Sequence, residues 1–427
     1  MIIKKILHKY KILLFNALYM FFNKGFNYVL PLINLVYLIN VIDLDYYGII
    51  IFGQAIVNYF QYFCEYGFYF SGSKEIAEAS NSKRKQSVVF SEILVSKLVL
   101  LVISVAILCV LLLVYKQIQE ISNIIIPLFI GMLFFSFTPT WYFLGIQRMR
   151  NITAINILSK VVLTLLIFTV IDDKEDYVYF PILLLASHFI PLVYSYYSIY
   201  YVINLKFFWP KWHKVRHQLQ YSFNFFIGAV SGGAIYSNIA FMIGLFYSNV
   251  EVGIYGLAEK LIRAISSLIQ PISHAIFPFI TERAQNDTHS ALQFAKKATS
   301  IIVTMMLLVA IISYVAANIL GGLTFDFVDK FNESATYFKF LLVLLPIDSI
   351  IHVYGSQGLI LLKKEKVYRS IYFVSLCLNL TISLLLIPSY GVLGGCISLI
   401  CTQSFILALM IYFIEKKRKR ESALHRG

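Results

Sequence analysis

Long apolar runs broken by short polar punctuation repeat along nearly the whole chain. A helix needs about 20 apolar residues to cross the hydrocarbon core of a bilayer. On that measure the runs predict about twelve membrane-spanning helices. They lie near 12–40, 46–72, 88–115, 121–145, 152–171, 178–203, 217–247, 250–280, 294–320, 335–362, 367–388 and 391–414. No polar block between them is long enough to fold outside the membrane. The expected fold class is an all-α polytopic membrane protein.

Charge then gives these helices a direction. Of 36 Lys and Arg, 27 fall on one side when alternate loops are assigned to alternate faces. They include Lys4 to Lys11, Lys83-Arg84-Lys85, Lys206 to Arg216, Lys363 to Arg369 and the tail from Lys416. The opposite side holds Lys116, Lys174, Lys330 and Lys339, among acids such as Asp43, Asp45, Asp172, Asp173 and Asp176. Basic loops stay cytoplasmic, so both termini are expected there. The same asymmetry accounts for the net charge of +14, and no nucleic-acid partner is expected. With 59% apolar and only 14% charged residues, against about 25% charged in soluble chains, a soluble fold is excluded. The basic start leads into an apolar segment with no small-x-small cleavage site, so no cleavable signal is expected. All five cysteines lie in apolar segments without ligand spacing, and the eight histidines are scattered. Neither a metal, a cofactor nor a disulfide framework is expected.

Two halves look alike. At an offset of about 208 residues, Tyr47-Gly48 meets Tyr255-Gly256, Asn16 meets Asn224 and Asn23 meets Ser231. Six spans per half give both the same orientation, a parallel repeat about an axis along the membrane normal. The expected organisation is a six-helix lobe at 1–205, a cytoplasmic linker at 206–217 and a second six-helix lobe at 218–427, around a central cavity.

The polar residues inside the spans carry the candidate chemistry. Between Gly253 and Ser273, Tyr255, Glu259, Arg263, Ser266, Gln270 and Ser273 share one helical face, with Lys260 beside it. Charge at bilayer depth is expensive, so such a face is expected against protein or a water-filled cavity. Gln54, Asn58, Gln61 and Glu65 form a second stripe. Asn16, Asn23, Asn27 and Asn34, with Lys24, form a third, and Asn224, Ser231 and Asn238 a fourth. Any one of these residues could simply bond a neighbouring helix. Repeat-related stripes favour a shared cavity that holds an anionic head through Lys24, Lys260 and Arg263, Arg as a fork and Lys as a point charge. Asn27, Asn58, Gln61, Gln270 and Lys160 are further candidates. Against this, Glu259 and Arg263 at i,i+4 could form an internal ion pair, and Lys97 and Lys160 could snorkel to the interface. Glu65 and Asp348 are intramembrane carboxylates able to take a coupling H⁺ or Na⁺, or else to neutralise a cation. Asp348 has His352 four residues on, a spacing more often structural than a relay. Asp43-Leu44-Asp45 suits the acidic outer loop of a membrane glycosyltransferase, but the short outer loops and the lack of a nucleophile–base pair argue against an enzyme.

A family resemblance rests on an ordered set of stretches. These are Asn27-Tyr28-Val29-Leu30-Pro31, Tyr46-Tyr47-Gly48, Glu65-Tyr66-Gly67-Phe68 and Ser73-Lys74-Glu75-Ile76-Ala77. Pro139-Thr140-Trp141-Tyr142-Phe143-Leu144-Gly145 through Met149, Val252-Gly253-Ile254-Tyr255-Gly256 through Leu261, and Tyr390-Gly391-Val392-Leu393-Gly394-Gly395 complete it. In this order they resemble the polysaccharide repeat-unit (O-antigen) flippases of the multidrug/oligosaccharidyl-lipid/polysaccharide exporter superfamily. The family usually has Asp where this chain has Glu65. The resemblance implies a bacterial inner-membrane carrier. Undecaprenyl-diphosphate-linked oligosaccharide would be its substrate, moved outward by alternating access for O-antigen, capsule or exopolysaccharide assembly. It also implies association with polysaccharide polymerase and chain-length machinery. Multidrug exporters of the superfamily share this layout and are the alternative.

Overall fold

In a computed structural model of the protein, the backbone is described for residues 2–286, 288–320 and 326–424. Side chains are described within these ranges apart from 2–28, 229, 274, 275, 278, 285, 286, 288, 289, 320, 326–330, 360, 365 and 418–424. The described residues are mostly helical, with turns and irregular segments such as 204–211 between the helices and no strand. Among the described residues, seven helices are long and apolar enough to cross a membrane, or up to nine if each of two bent pairs counts as one span. The protein is an all-α polytopic membrane protein.

The first two expected spans are one helical run, α1 (Ile2–Glu65), kinked at Asp43 with φ 70°. The kink falls in the gap expected between 40 and 46. After it the Asp43 carboxylate accepts from Leu44 N at 3.2 Å, capping the helix that follows. The last two expected spans likewise form α16 (Glu365–Leu424), broken at Gly391 with φ 56°. Its halves are tied by Asn379 Nδ2, which donates to Thr402 Oγ1 at 3.0 Å.

Contacts group the chain into two units, residues 37–253 and residues 1–36 with 254–427. In the 37–253 unit, α1 ends at a turn through Tyr66 and Gly67, both at positive φ. Then come α2 (Phe68–Glu78), α3 (Lys83–Val114), α4 (Lys116–Glu120), α5 (Ser122–Phe137), α6 (Thr140–Gly145), α7 (Met149–Val170) and α8 (Tyr179–Tyr197), then α9 (Trp212–Phe246). Proline explains one interruption: Pro139 lacks an N–H and disfavours helix at Thr138, separating α5 from α6 inside the stretch expected as one span at 121–145.

The core here draws on three of the stretches that carried the family resemblance, those at 65–68, 73–77 and 139–149. Phe68, Ile76, Phe90, Ile93, Trp141 and Tyr142 pack as one buried cluster. Gly72 and Gly145 let α2 and α6 close: a Cβ on Gly145 would lie 2.7 Å from Ile76 Cβ. Tyr142 donates to Gln86 Oε1 at 3.1 Å, and Gln86 Nε2 donates to Ala79 O and Ser80 O just past the end of α2. Gly67 presses against the α9 backbone, where a Cβ would stand 2.6 Å from Phe225 C, while Tyr66 stacks on Phe226 at 4.6 Å. The expected linker is strapped to α3: Lys206 N and Phe208 N donate to Ser87 Oγ and Ser91 Oγ at 3.1 and 3.0 Å.

The other unit holds most of α10 (Asn249–Ser266), α11 (Ile269–Asn286), α12 (Thr288–Leu320) and α13 (Asp326–Leu341). It also holds α14 (Leu344–Ile350), a π-helical turn Ile351–Ser356, α15 (Gln357–Leu361) and α16. The run expected as one span at 250–280 is two helices, α10 and α11, interrupted at Ser267 and Leu268. Neither is among the helices apolar enough to span, because Glu251, Glu259, Lys260 and Arg263 crowd α10 and Glu282 and Arg283 end α11.

Candidate functional site

Within the 37–253 unit, the stripe on the second part of α1 faces two neighbours. One edge bonds α9: Asn58 Nδ2 donates to Ser237 Oγ at 3.2 Å, Tyr62 Oη lies 3.2 Å from the same oxygen, and Tyr59 donates to Asn238 at 3.4 Å. So Asn58 of the second stripe and Asn238 of the fourth join one interhelical hydrogen-bonded seam, each through a partner outside the stripes. The other edge, Gln54, Asn58 and Gln61, lines a cavity of about 260 Å³ with α5 and α8. Lys160 of α7 is half-buried and acts electrostatically on His188, a lining residue of that cavity.

Glu65 has a partner. Its carboxylate lies 3.7 Å from Lys97 Nζ, and Lys97 is 2% exposed. Lys97 therefore does not snorkel. It also donates to the Ser136 carbonyl in the last turn of α5 and sits 5.9 Å over the Phe68 ring. A cation beside the last carbonyls of a helix is favourable, and a buried ammonium needs its counter-charge. Asp43, of the Asp43-Leu44-Asp45 stretch weighed for a glycosyltransferase, accepts from Leu44 N and pairs with Lys174 Nζ at 2.8 Å. Asp173 and Asp176 cap the short 3₁₀ helix Lys174–Val178.

The α10 stripe is placed differently from a single wall. Arg263 Nη1 donates to Glu259 Oε1 at 3.1 Å; the Arg side chain is 57% exposed and the Glu 13%. The i,i+4 pair is real. Lys260 is half-buried beside both charges. Ser266 donates to the Asp348 carboxylate at 2.9 Å, and Arg263 acts on the same carboxylate electrostatically. Ser273, beyond the break, accepts from Gln357 Nε2 at 2.6 Å. Thus the lower half of the stripe bonds α14 and α15, with Gln270 half-buried between. Asp348 is 5% exposed. His352 falls in the π-helical turn, where residues four apart no longer stack as in an α-helix. The side chains of Lys24 and Asn27, and of Asn16 and Asn23, lie outside the described residues.

Two site features escaped the spacing patterns. His188 reaches the Gln54–Asn58–Gln61 stripe although it is 127 residues from its nearest member in the chain; its only signal was being ionisable in an apolar run. Ser237, the hub of the α1–α9 seam, is an ordinary serine in sequence.

Comparison with known proteins follows the same lines. The sequence pattern of the family described as "Polysaccharide biosynthesis protein" matches residues 13–284. A protein named "Putative O-antigen transporter" from Escherichia coli strain K12 is 25% identical over 407 residues, covering 94% of this chain and 97% of that protein. One of the same name from Shigella dysenteriae is 24% identical, covering 93% and 98%. Among solved structures, an inward-facing multidrug resistance MATE family transporter of the MOP superfamily superposes with a TM-score of 0.70. It is 14% identical, with 93% of this chain and 96% of that one covered. The lipid II flippase MurJ superposes at 0.67 with 13% identity, covering 92% and 87%. At such identities the superpositions establish the fold. The family pattern spans well over half of the sequence, and the chain belongs to the polysaccharide biosynthesis protein family.

Proposed function

We propose that this protein is a flippase: it carries undecaprenyl-diphosphate-linked oligosaccharide repeat units from the cytoplasmic to the outer leaflet of the bacterial inner membrane. Alternating access between the repeats 1–205 and 218–427, joined by 206–217, is the mechanism, and O-antigen, capsule or exopolysaccharide assembly is its purpose. The observation that carries this reading is similarity over 94% of the chain to a protein named as an O-antigen transporter. The cations on its helices agree with that cargo.

The diphosphate head is assigned to Lys24, Lys260 and Arg263, with Asn27 and Gln270 near them. Asn58, Gln61 and Lys160 are assigned to the sugars. Stripping water from a diphosphate is costly, and buried cations offset that cost. The prenyl chain stays in lipid. Outward movement of each negative charge gains about 2.3 kcal/mol per 100 mV of inside-negative potential. Counter-flow of H⁺ or Na⁺ would add to this. Asp348, whose carboxylate accepts from the Ser266 hydroxyl, suits a mobile ion better than Glu65, which the Lys97 ammonium holds. No chemical step is assigned to the protein; polymerase and chain-length machinery act on what it delivers, and both termini lie in the cytoplasm.

The test is the species that accumulates when the gene is deleted. A flippase defect leaves complete lipid-linked repeat units facing the cytoplasm, reversed by the intact gene. Truncated units would instead mark a transferase, and normal glycans with altered drug sensitivity a multidrug exporter; either result overturns the proposal.

A further inference from the structure

The cavity between α1, α5 and α8 has a composition that narrows its guest. Its polar lining is three carboxamides, Gln54, Asn58 and Gln61, and the imidazole of His188. Its walls include Met132 and Phe135, and the His188 ring meets Phe135 edge-on at 5.5 Å. No carboxylate lines it. His188 Nδ1 is shielded from solvent and bonded to nothing, in a protein whose buried polar atoms are otherwise mostly paired. An orphaned nitrogen of this kind is destabilising, and in a native fold it calls for an explanation such as an unseen guest.

Charge excludes several guests. A cation would need a carboxylate or an aromatic cage, whereas the charge that acts on His188 is itself a cation, Lys160. A diphosphate would need guanidinium or ammonium groups in the lining, and there are none. Carboxamides donate and accept in equal measure without net charge, which complements hydroxyl groups that do the same. The apolar walls suit the C–H face of a ring. Size points the same way. At about 260 Å³ the cavity falls short of the roughly 300–1,000 Å³ that encloses a drug-sized ligand, and so fits one ring of a larger molecule.

We propose that this cavity is a monosaccharide subsite: one neutral, hydroxyl-bearing sugar ring of the lipid-linked oligosaccharide seats here, with His188 as a direct hydrogen-bonding partner. The assignment rests on the flippase reading and deepens it. Recognition of the sugar is thereby separated along the chain from the cations assigned to the diphosphate. His188, unlike Asn58 and Gln61, was not among the residues that helical spacing selects.

Binding to the purified full-length protein tests the subsite. The probes are the lipid-linked repeat unit that accumulates in the deletion strain and bare undecaprenyl diphosphate. Wild-type protein binds the repeat unit more tightly than the bare lipid. His188→Phe and Gln54→Leu each reduce that preference roughly ten-fold, the size of one lost neutral hydrogen bond. His188→Gln, which keeps a donor and an acceptor, retains most of it, and this rescue separates recognition from folding. A preference that survives both His188→Phe and Gln54→Leu, or equal loss of both ligands in all three variants, overturns the subsite. Equal binding of both probes by wild-type protein overturns it as well, while leaving the flippase reading intact. Wild-type protein that binds neither probe overturns the flippase reading itself.

Discussion

Arg263 is the residue on which two explanations of the same charge compete, and magnitudes separate them. It pairs with Glu259 at 3.1 Å, Glu preceding Arg by four residues on α10. With the guanidinium 57% exposed, such a pair contributes only about 0.3–0.5 kcal/mol. Losing this pair therefore costs Arg263→Ala little thermal stability, and a large loss of transport would come from contacts beyond the pair, to substrate or to the Asp348 carboxylate on which Arg263 also acts. The exchange Glu259→Arg with Arg263→Glu rebuilds the pair in reverse. We expect the exchanged protein to reach normal membrane abundance yet fail to complement the deletion strain. Complementation at the wild-type level would assign the pair to structure alone. Lys97 contrasts with it. Buried at 2% exposure, anchored by Glu65 and by the Ser136 carbonyl, it is held by its surroundings and has no freedom to meet a ligand.

At the scale of elements, the molecule is governed by where helices stop and how closely they cross. Within the 37–253 unit, the start of the capped helix after Asp43 meets the first turn of α10 backbone to backbone. A Cβ on Gly48 would collide with Asn249 O, and one on Gly253 with Leu44 O. Both glycines are thus required by the crossing. In an unobstructed helix interior Gly→Ala is stabilising by roughly 0.5–1 kcal/mol. Here Gly48→Ala has the opposite sign: it lowers the melting temperature of the purified protein, because neither backbone can yield as a flexible side chain would. Gly253→Ala does the same. A neutral or raised melting temperature in either variant would show that the crossing is not close-packed. The break at Ser267 and Leu268 belongs to this scale too, since it directs Ser273 to Gln357 while Ser266 stays with Asp348.

For the whole molecule, topology is the property that charge imposes. Lys83-Arg84-Lys85 precede α3, and Lys174 with Asp172 and Asp173 follows α7 at the other end of the intervening helices. In intact spheroplasts a membrane-impermeant maleimide should label Asp173→Cys and spare Lys85→Cys, in a background lacking the native cysteines. The reverse pattern would invert the assigned orientation and place both termini outside. The family motifs also find their meaning at this scale. Those around Gly67 and from Pro139 to Met149 contribute to the α2–α6 core and its contact with α9, so in this chain these stretches serve packing.

The sequence by itself determined the membrane class, the all-helical fold, the family and nearly every place where a helix is interrupted between spans. Those follow from local quantities: run length against bilayer thickness, loop charge, and the short polar punctuation between apolar runs. It also marked the polar stripes. Whether a polar side chain in a span faces a cavity, a counter-charge or another helix depends on neighbours distant in the chain, and spacing alone carries no record of them. Tertiary structure alone decided that Glu65 belongs to Lys97, that Asn58 shares Ser237, and that the run from Gly253 to Ser273 is two helices. The same holds for His188, joined to the Gln54–Asn58–Gln61 stripe by helix packing across more than a hundred residues of intervening chain.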